Sequence, residues 1–298
     1  DVQPNDSENY ILITKKVTGI VKRKNIYHAA GVVFSGGVMG TVKLLHRCKS
    51  NGSLPNISQQ LGNFVRTNSE AIQGVVAKRK DIDYSKGIAI TSGINPDKNT
   101  HIETCRYGKG QGAMSLLATL LVDKHDYVPR PILWLWNIIR HPLVFLRSMN
   151  PIGVSEKSTY VLVMQTISNY MRFDYKRRWW RLGKRSMNSN CDTDQKVPAY
   201  IPVANEYTRR LAEKIDGDPA ASITEIFLNT STTAHIMGGC VMADNPENGV
   251  IDHKGQIFGY KNLYVADGSI VPANLGVNPS LTITAMAEYI LDQVPEKI

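Results

Sequence analysis

Lys261-Asn262-Leu263-Tyr264-Val265-Ala266-Asp267-Gly268-Ser269 is the stretch from which the fold is read. Its apolar run has the composition of a short buried strand. Asp267-Gly268-Ser269 ends that strand with turn-forming residues. After a loop, Asn278-Pro279 opens a helix, with Asn278 suited to the N-cap and Pro279 to the first helical position. Ile283, Met286, Ala287, Ile290, Leu291 and Val294 form the apolar stripe of that helix. The chain therefore closes with a strand, a loop and a helix whose N-terminus points back at the loop.

The front of the chain has a related shape. Residues 10–34 read as β structure, with Tyr10-Ile11-Leu12-Ile13, Val17 to Val21 and Ala30-Gly31-Val32-Val33-Phe34 as its apolar runs. Ser35-Gly36-Gly37-Val38-Met39-Gly40 then leads into a helix over Thr41 to Cys48. A strand, a glycine turn and a helix are the local shape of a dinucleotide-binding turn. The glycines are spaced G-G-x-x-G, however, and the region where an acidic residue is expected, ~20 positions on, is Pro55-Asn56-Ile57-Ser58-Gln59-Gln60. Taken alone, the turn reads as one that lets a helix pack on a strand. Gly108-Lys109-Gly110-Gln111-Gly112 follows no clear strand and reads as a loop.

Between these ends lies a mixed middle. Ala113 to Leu121 is expected to be helical, Tyr160 to Thr166 a buried strand, and Asn205 to Ile215 an amphipathic helix with Ala204, Tyr207, Leu211 and Ile215 on one face. Residues 131–148 are apolar and aromatic, with Trp134, Trp136, Ile138, Ile139, Leu143 and Phe145 edged by Arg130, Arg140 and Arg147. That pattern suits either the hydrophobic floor of a domain or a lipid headgroup interface. Arg172 to Arg185 is basic and aromatic, but no nucleic-acid motif accompanies it; it reads as a solvated strand, and no nucleic-acid partner is expected.

Composition bounds the function classes. The 298 residues suffice for about two domains. Hydrophobic residues make up 42% and charged residues 20%, as in a globular chain. The net charge of +9 favours anionic partners without choosing among them. No apolar run approaches the ~20 residues of a membrane-spanning helix. The four cysteines form no C-x-x-C pair, which disfavours a zinc or thioredoxin-like site, and no metal is expected.

Thr233-Ala234-His235-Ile236-Met237-Gly238-Gly239-Cys240-Val241 precedes Gly249-Val250-Ile251-Asp252, the strand quoted above, and Gly276-Val277-Asn278-Pro279-Ser280-Leu281-Thr282-Ile283-Thr284-Ala285. These segments, in this order, resemble the C-terminal signature of the glucose–methanol–choline (GMC) oxidoreductases. Within that family they are most similar to the bacterial cholesterol oxidase branch. Gly31 to Leu45 resembles the strand–turn–helix near the cofactor, and Leu54-Pro55-Asn56-Ile57 with Leu61-Gly62 continues the likeness. His101-Ile102-Glu103 resembles the segment that carries an active-site glutamate in the sterol enzymes.

The resemblance implies an α+β chain. Residues 1–60 and 226–298 would be part of an FAD-binding Rossmann-like domain, and 61–225 a substrate domain with a mostly antiparallel sheet covered by helices. Family members begin with a βαβ unit carrying G-x-G-x-x-G, which this sequence lacks, and it starts at Asp1. The chain is therefore expected to be the C-terminal portion of a longer flavoprotein, or one half of a split enzyme whose N-terminal FAD-binding half is a second chain. Alone it would be inactive.

The implied reaction is hydride transfer from a secondary alcohol, such as a 3β-hydroxysterol, to FAD. Oxygen would reoxidise the flavin to give hydrogen peroxide, and a double-bond isomerisation could follow. His235 and Asn278 would face the flavin, and Glu103 would act as a base. Gly36, Gly37, Asp267, Gly268, Asn278 and Pro279 would lie against the cofactor, with the Asn278-Pro279 helix start stabilising negative charge. The alternatives are a GMC dehydrogenase acting on another alcohol with another electron acceptor, or a non-catalytic lipid-binding module. A cytoplasmic or peripheral membrane location is expected.

Overall fold

The computed structural model describes residues 1–5, 9–79 and 81–296. Strands β1 (Val2–Pro4), β2 (Tyr10–Lys15) and β3 (Lys24–Ala29) form an antiparallel sheet in that order. Val17 to Val21 lie outside it: Gly19 at φ 83° turns the chain between β2 and β3, and Val17, Ile20 and Val21 are exposed there.

Strand β4 (Val32–Phe34) runs into the glycine turn and α1 (Gly37–Asn51). Val38, Thr41, Val42, Leu45 and Cys48 bury one face of α1, at the spacing a helix requires. The core around them includes Leu54, Ile57, Val65, Cys240, Val250, Leu263, Val265 and Ile290, so it draws on both ends of the chain.

The middle of the chain builds a six-stranded antiparallel sheet. Its members are β5 (Ala71–Ala77), β6 (Ile90–Asp97), β7 (Thr100–Cys105), β8 (Ala118–Leu120), β9 (Ser158–Gln165) and β12 (Gly217–Ser222), in the order β6-β7-β9-β5-β12-β8. Between β9 and β12 lie the antiparallel hairpin β10 (Arg172–Arg177) and β11 (Arg185–Asn190), and α5 (Pro202–Lys214). Helix α5 covers one sheet face, where Ala71, Ile102, Val161 and Val163 pack with Ile201 and Ala204. Tyr207 and Leu211 join that packing as partly buried residues. Helices α2 (Arg130–Arg140), α3 (Pro142–Ser148), α4 (Val154–Lys157) and α6 (Ile223–Phe227) cluster at the β8–β12 side and behind β5 and β9. The fold is α+β, with an antiparallel sheet covered by helices.

The expected helix over Ala113 to Leu121 is not formed. A 3-10 turn over Gly112–Leu117 gives way to β8, which pairs Thr119 with Ala221 and Leu120 with Ala220. Pairing across the sheet outweighs local helical preference at this edge.

The last strand, β13 (Leu263–Val265), is parallel to β4, with Tyr264 opposite Val33. Helix α7 (Ser280–Leu291) closes the chain. Its N-cap is Pro279, not Asn278, so the helix begins one residue later than expected. The side chain of Asn278 is thereby free of a capping role and reaches β7. Among the described residues no helix is long and apolar enough to cross a membrane.

Candidate active site

Two of the side chains implied by the sequence, Glu103 of β7 and Asn278 of the loop before α7, meet in the structure, and a third, His235, lies on the segment 231–239 against Glu70. In β7, alternation sends Ile102 and Thr104 to the α5 face and His101, Glu103 and Cys105 to the other. Glu103 is buried, and Asn278 Nδ2 lies 2.9 Å from each of its carboxylate oxygens. His101 Nε2 lies 3.5 Å from Glu103 Oε2. Burial, followed by the carboxylates of Glu103 and Glu70, pushes the Cys105 thiol up to about 12, so it stays neutral beside them.

Asn278 owes its position to Asn68. Asn68 Oδ1 accepts the Gly276 N–H at 2.8 Å, and its Nδ2 donates to Val277 O at 3.0 Å. The clamp therefore grips the two residues just before Asn278. Asn68 and Ser69 both sit in the left-handed region, at φ 59° and 45°, a costly conformation for residues with side chains. The turn they make starts β5 and aims the next residue, Glu70, at a second loop.

That second loop carries His235. Segment 62–66 runs antiparallel to 237–239: Arg66 and Met237 exchange backbone bonds of 2.7 and 2.9 Å, and Gly62 N–H reaches Gly239 O at 2.8 Å. Gly239 has φ 95°, and a Cβ there would meet Val42 at 2.9 Å, so only glycine lets the loop lie against α1. Glu70 Oε2 accepts from Thr233 Oγ1 at 2.6 Å, Ala234 N–H at 2.9 Å and His235 N–H at 3.3 Å. Its Oε1 lies 3.2 Å from His235 Nδ1, within ion-pair reach but off the hydrogen-bond line. The Glu70 side chain has no exposed surface, whereas that of His235 is 16% exposed. A carboxylate on the Nδ1 side orients the ring and leaves Nε2 for chemistry.

Sequence reasoning missed both Glu70 and Asn68. The signal available was a polar run, Thr67-Asn68-Ser69-Glu70, set between Val65 and Ala71. All four of its residues are buried, which a turn on the surface would not be.

Four of the expected cofactor residues, Gly36, Gly37, Asp267 and Gly268, form a separate group at the C-terminal ends of β4 and β13. Asp267 is buried and fully engaged within the chain. Its Oδ2 accepts from Thr41 Oγ1 at 2.5 Å, and its Oδ1 from Ser269 N–H at 2.8 Å and Ser269 Oγ at 2.6 Å. Gly36 N–H donates to Thr41 Oγ1 at 2.9 Å. Asp267 thus ties the end of β13 to the first turn of α1, with the backbone of Gly36, Gly37 and Gly268 beside it. Helix α7 has no side-chain cap and no acidic residue in its first turn, so Asn278-Pro279 precedes an uncapped N-terminus.

Beside Glu103 the same sheet face is apolar. Tyr107 and Tyr160 meet edge to face with centroids 4.7 Å apart, and Ile72, Gly74, Ala118 and Ala220 continue the cavity wall. A Cβ on Gly74 would come within 3.3 Å of the Tyr160 ring. Burial pushes the Tyr160 hydroxyl up to about 12, so it remains a neutral donor.

Comparison with known proteins gives this arrangement a context. A family model described as GMC oxidoreductase matches residues 162–287. A cholesterol oxidase of Acinetobacter baumannii is 46% identical over 277 residues, covering 93% of this chain and 49% of the relative. A cholesterol oxidase of Mycobacterium tuberculosis is 41% identical over 280 residues, covering 92% and 48%. The chain thus spans about half the length of these relatives. Among solved structures, a formate oxidase of Aspergillus oryzae, studied for modification of its FAD, superposes with a TM-score of 0.54 at 14% identity, covering 96% of this chain and 57% of that one. A pyridoxine 4-oxidase gives 0.52 at 12% identity, covering 91% and 52%. At such identities these two structures speak for the fold alone.

Proposed function

This chain belongs to the GMC oxidoreductase family, and from that premise we propose that it supplies the substrate sheet and the polar catalytic group of an FAD-dependent alcohol oxidase. The substrate we propose is a secondary alcohol on a bulky apolar skeleton, a 3β-hydroxysterol such as cholesterol, with oxygen as the electron acceptor. Residues 61–225 serve as the substrate domain, and 1–60 with 226–298 contribute to an FAD-binding domain completed by chain outside this sequence.

The observation that carries the reading is the joining of Glu103 to Asn278 at one end of an apolar sheet face, with His235 held by Glu70 on the adjoining loop. An alcohol with an apolar body would rest on that face and present its hydroxyl to the polar end.

The residues present fit FAD. The uncapped N-terminus of α7 offers backbone N–H groups and a positive dipole end to an anionic ring edge. Leu281, in its first turn, is 82% exposed and open to a flat partner. Gly36, Gly37 and Gly268 present backbone without side chains near one another, held by the Asp267–Thr41 bond. When bound, FAD supplies the acceptor for the hydride leaving the carbinol carbon.

The protein's own groups then handle the hydroxyl. His235 Nε2 hydrogen-bonds the alcohol oxygen and draws its proton as the C–H bond breaks. Asn278 holds the same oxygen through its amide while its Nδ2 keeps Glu103 in place. In a sterol, Glu103 can take a proton from the ring carbon beside the new carbonyl and return it to the ring when the double bond moves.

A second reading concerns where the substrate is met. On α2 and α3, Leu135, Trp136, Ile139, Leu143 and Leu146 are exposed, and Arg140 lies over the Trp136 ring at 5.0 Å. That pattern favours contact with a lipid surface, from which an apolar alcohol would be drawn. Vesicle flotation of the full-length protein tests it: binding to anionic vesicles that is lost in Trp136→Glu supports it, and equal binding by both proteins rejects it.

For the reaction, the deciding experiment mixes full-length holoprotein with cholesterol in the absence of oxygen. Bleaching of the flavin's visible absorbance, with peroxide released once oxygen is admitted, supports the reading. No bleaching by cholesterol or by any of a panel of secondary alcohols rejects it. Bleaching without peroxide points to a dehydrogenase with another acceptor.

A further inference from the structure

We propose that Ser158 and Tyr160 form a second polar anchor at the far end of the substrate cavity, and that the preferred substrate carries a second oxygen function, a hydroxyl or a carbonyl, at the end of its apolar skeleton away from the reacting alcohol. The proposal rests on the reading of this sheet face as the bed of an apolar alcohol, and it deepens that reading by narrowing the substrate class.

Strand register places the anchor. On β9, Ser158, Tyr160 and Leu162 alternate with Val161 and Val163, which pack under α5. The three therefore share the face that carries Glu103, and Leu162 stands directly opposite Glu103. Ser158 lies four residues before Leu162, on the strand next to β7. At about 3.4 Å per residue along a strand and about 4.8 Å between strands, its backbone is about 14 Å from that of Glu103. Tyr160 and Gly74, paired across β9 and β5, fill the ground between.

Ser158 is a polar group on this wall that the chain leaves unsatisfied. It is 2% exposed and lines the cavity, and its Oγ has no hydrogen-bond partner among the described residues. The other serines and the threonine lining the cavity are engaged. Ser115 Oγ donates to Gly112 O and Ser148 Oγ to Phe145 O, both at 2.7 Å. The hydroxyls of Ser222 and Thr232 lie 2.8 Å apart, and each also bonds that of Thr224. A buried hydroxyl without a partner is costly, and a ligand oxygen that meets it removes the cost.

Tyr160 completes the anchor. Burial pushes its phenol up, Tyr107 adds to this, and the Ser158 hydroxyl pulls it back. The two hydroxyls thus lie near enough to influence one another while Ser158 Oγ stays unbonded. Each has a proton to donate and lone pairs to accept. An oxygen seated between them accepts from both, and a hydroxyl there also donates in return. Among the described residues that line the cavity there is no Asp, Glu, Lys, Arg or His. An ionised substituent at this end would be buried without a counter-charge, which leaves neutral oxygen groups as the fit.

This end of the cavity is walled. Val154 of α4 and Ser115 of the 3-10 turn over Gly112–Leu117 belong to its lining. A Cβ on Gly112 would lie 2.3 Å from Pro151 O, so the turn packs backbone to backbone against the segment before α4. A skeleton lying along the sheet meets this wall, and its distal substituent is read there.

The test uses the full-length holoenzyme and two 3β-hydroxysteroids that differ by one group, a second hydroxyl on the five-membered ring. We expect kcat/KM in wild type to be about 10-fold or more higher for the diol, mostly through KM, because the distal bond is made in ground state and transition state alike. In Ser158→Ala the ratio should fall to about one, and Tyr160→Phe should lower it in the same direction. A purely structural Ser158 would move the melting temperature and leave the ratio in place. Equal kcat/KM for the two steroids in wild type would overturn the proposal, as would a preference for the diol that persists in Ser158→Ala. Calorimetric binding of the same two steroids supplies a readout apart from turnover. The diol should bind about 10-fold more tightly than the mono-alcohol in wild type and about equally in Ser158→Ala; equal binding in wild type also overturns the anchor. If the wild-type holoenzyme oxidises neither steroid, the assigned reaction fails separately, and the binding ratio alone decides the anchor.

Discussion

Asn278 and Glu103, 175 residues apart in sequence, meet through one amide nitrogen placed 2.9 Å from both oxygens of the carboxylate. This contact joins the loop before the last helix to β7, the strand next to the β6 edge of the six-stranded sheet. Asn278→Ala removes it and leaves Glu103 buried without its amide donor. Turnover of the full-length enzyme should fall by about 100-fold, and unfolding should be easier by about 1–3 kcal/mol. Steady-state kinetics and denaturant titration check both numbers.

Glu70 should matter as much to His235 as to folding. Its carboxylate accepts three hydrogen bonds from residues 233–235 and flanks the His235 ring. Glu70→Ala strands those donors and should cost about 2–4 kcal/mol of stability. Glu70→Gln keeps the shape and an acceptor oxygen but removes the charge near Nδ1. It should fold, and lose kcat with little change in KM. Equal kcat in Glu70→Gln and wild type would show that the charge does not act on the imidazole.

Asn68 offers a cleaner separation of stability from function. Glycine at this position relieves the left-handed conformation, a gain of about 1 kcal/mol, and loses the clamp on Gly276 and Val277. Asn68→Gly should therefore keep a melting temperature near that of wild type while kcat drops, because Asn278 is no longer held. A drop in melting temperature and kcat together would reduce Asn68 to a structural role.

The buried Glu225 predicts a pH effect on stability. Burial raises its carboxyl to about 8, and the nearby Arg130 only partly offsets this. The unfolded chain ionises near the ordinary carboxylate value while the folded protein holds the proton. The folded state therefore binds more protons across the window from that value to about 8, and stability falls as pH rises through it. His46, lowered to about 4 by burial, acts in the opposite sense below the ordinary histidine value and is common to both proteins compared. Glu225→Gln should be more stable than wild type near pH 8, with the difference shrinking toward pH 5. Thermal melts at the two pH values check this, and a difference that grows on acidification would contradict it.

Much of this site was legible in the sequence because its parts are local. The strand shortly before Asp267, the turn that Asp267 opens and the helix after Pro279 each follow from a few adjacent residues, and the structure forms all three. What could not be read locally was partnership. Asn278 looks like a capping residue until β7 is brought beside it, and only then does its amide have a carboxylate to hold. Asp267 looks available to a ligand until Thr41 and Ser269 are seen to occupy it. Glu70 and Asn68 act through a left-handed backbone turn that composition does not announce. Ala118 to Leu120 became a strand because β12 offered it a partner, not because its residues demanded one.

The most direct test of the central claim compares full-length wild type with His235→Ala, each loaded with FAD, on anaerobic mixing with cholesterol. The account predicts rapid bleaching of the flavin in wild type. In the variant it predicts bleaching slowed by about 100-fold or more, with FAD retained. Bleaching at the wild-type rate in His235→Ala would contradict the account, since the proton of the alcohol would then leave by a route that does not pass through the group Glu70 holds.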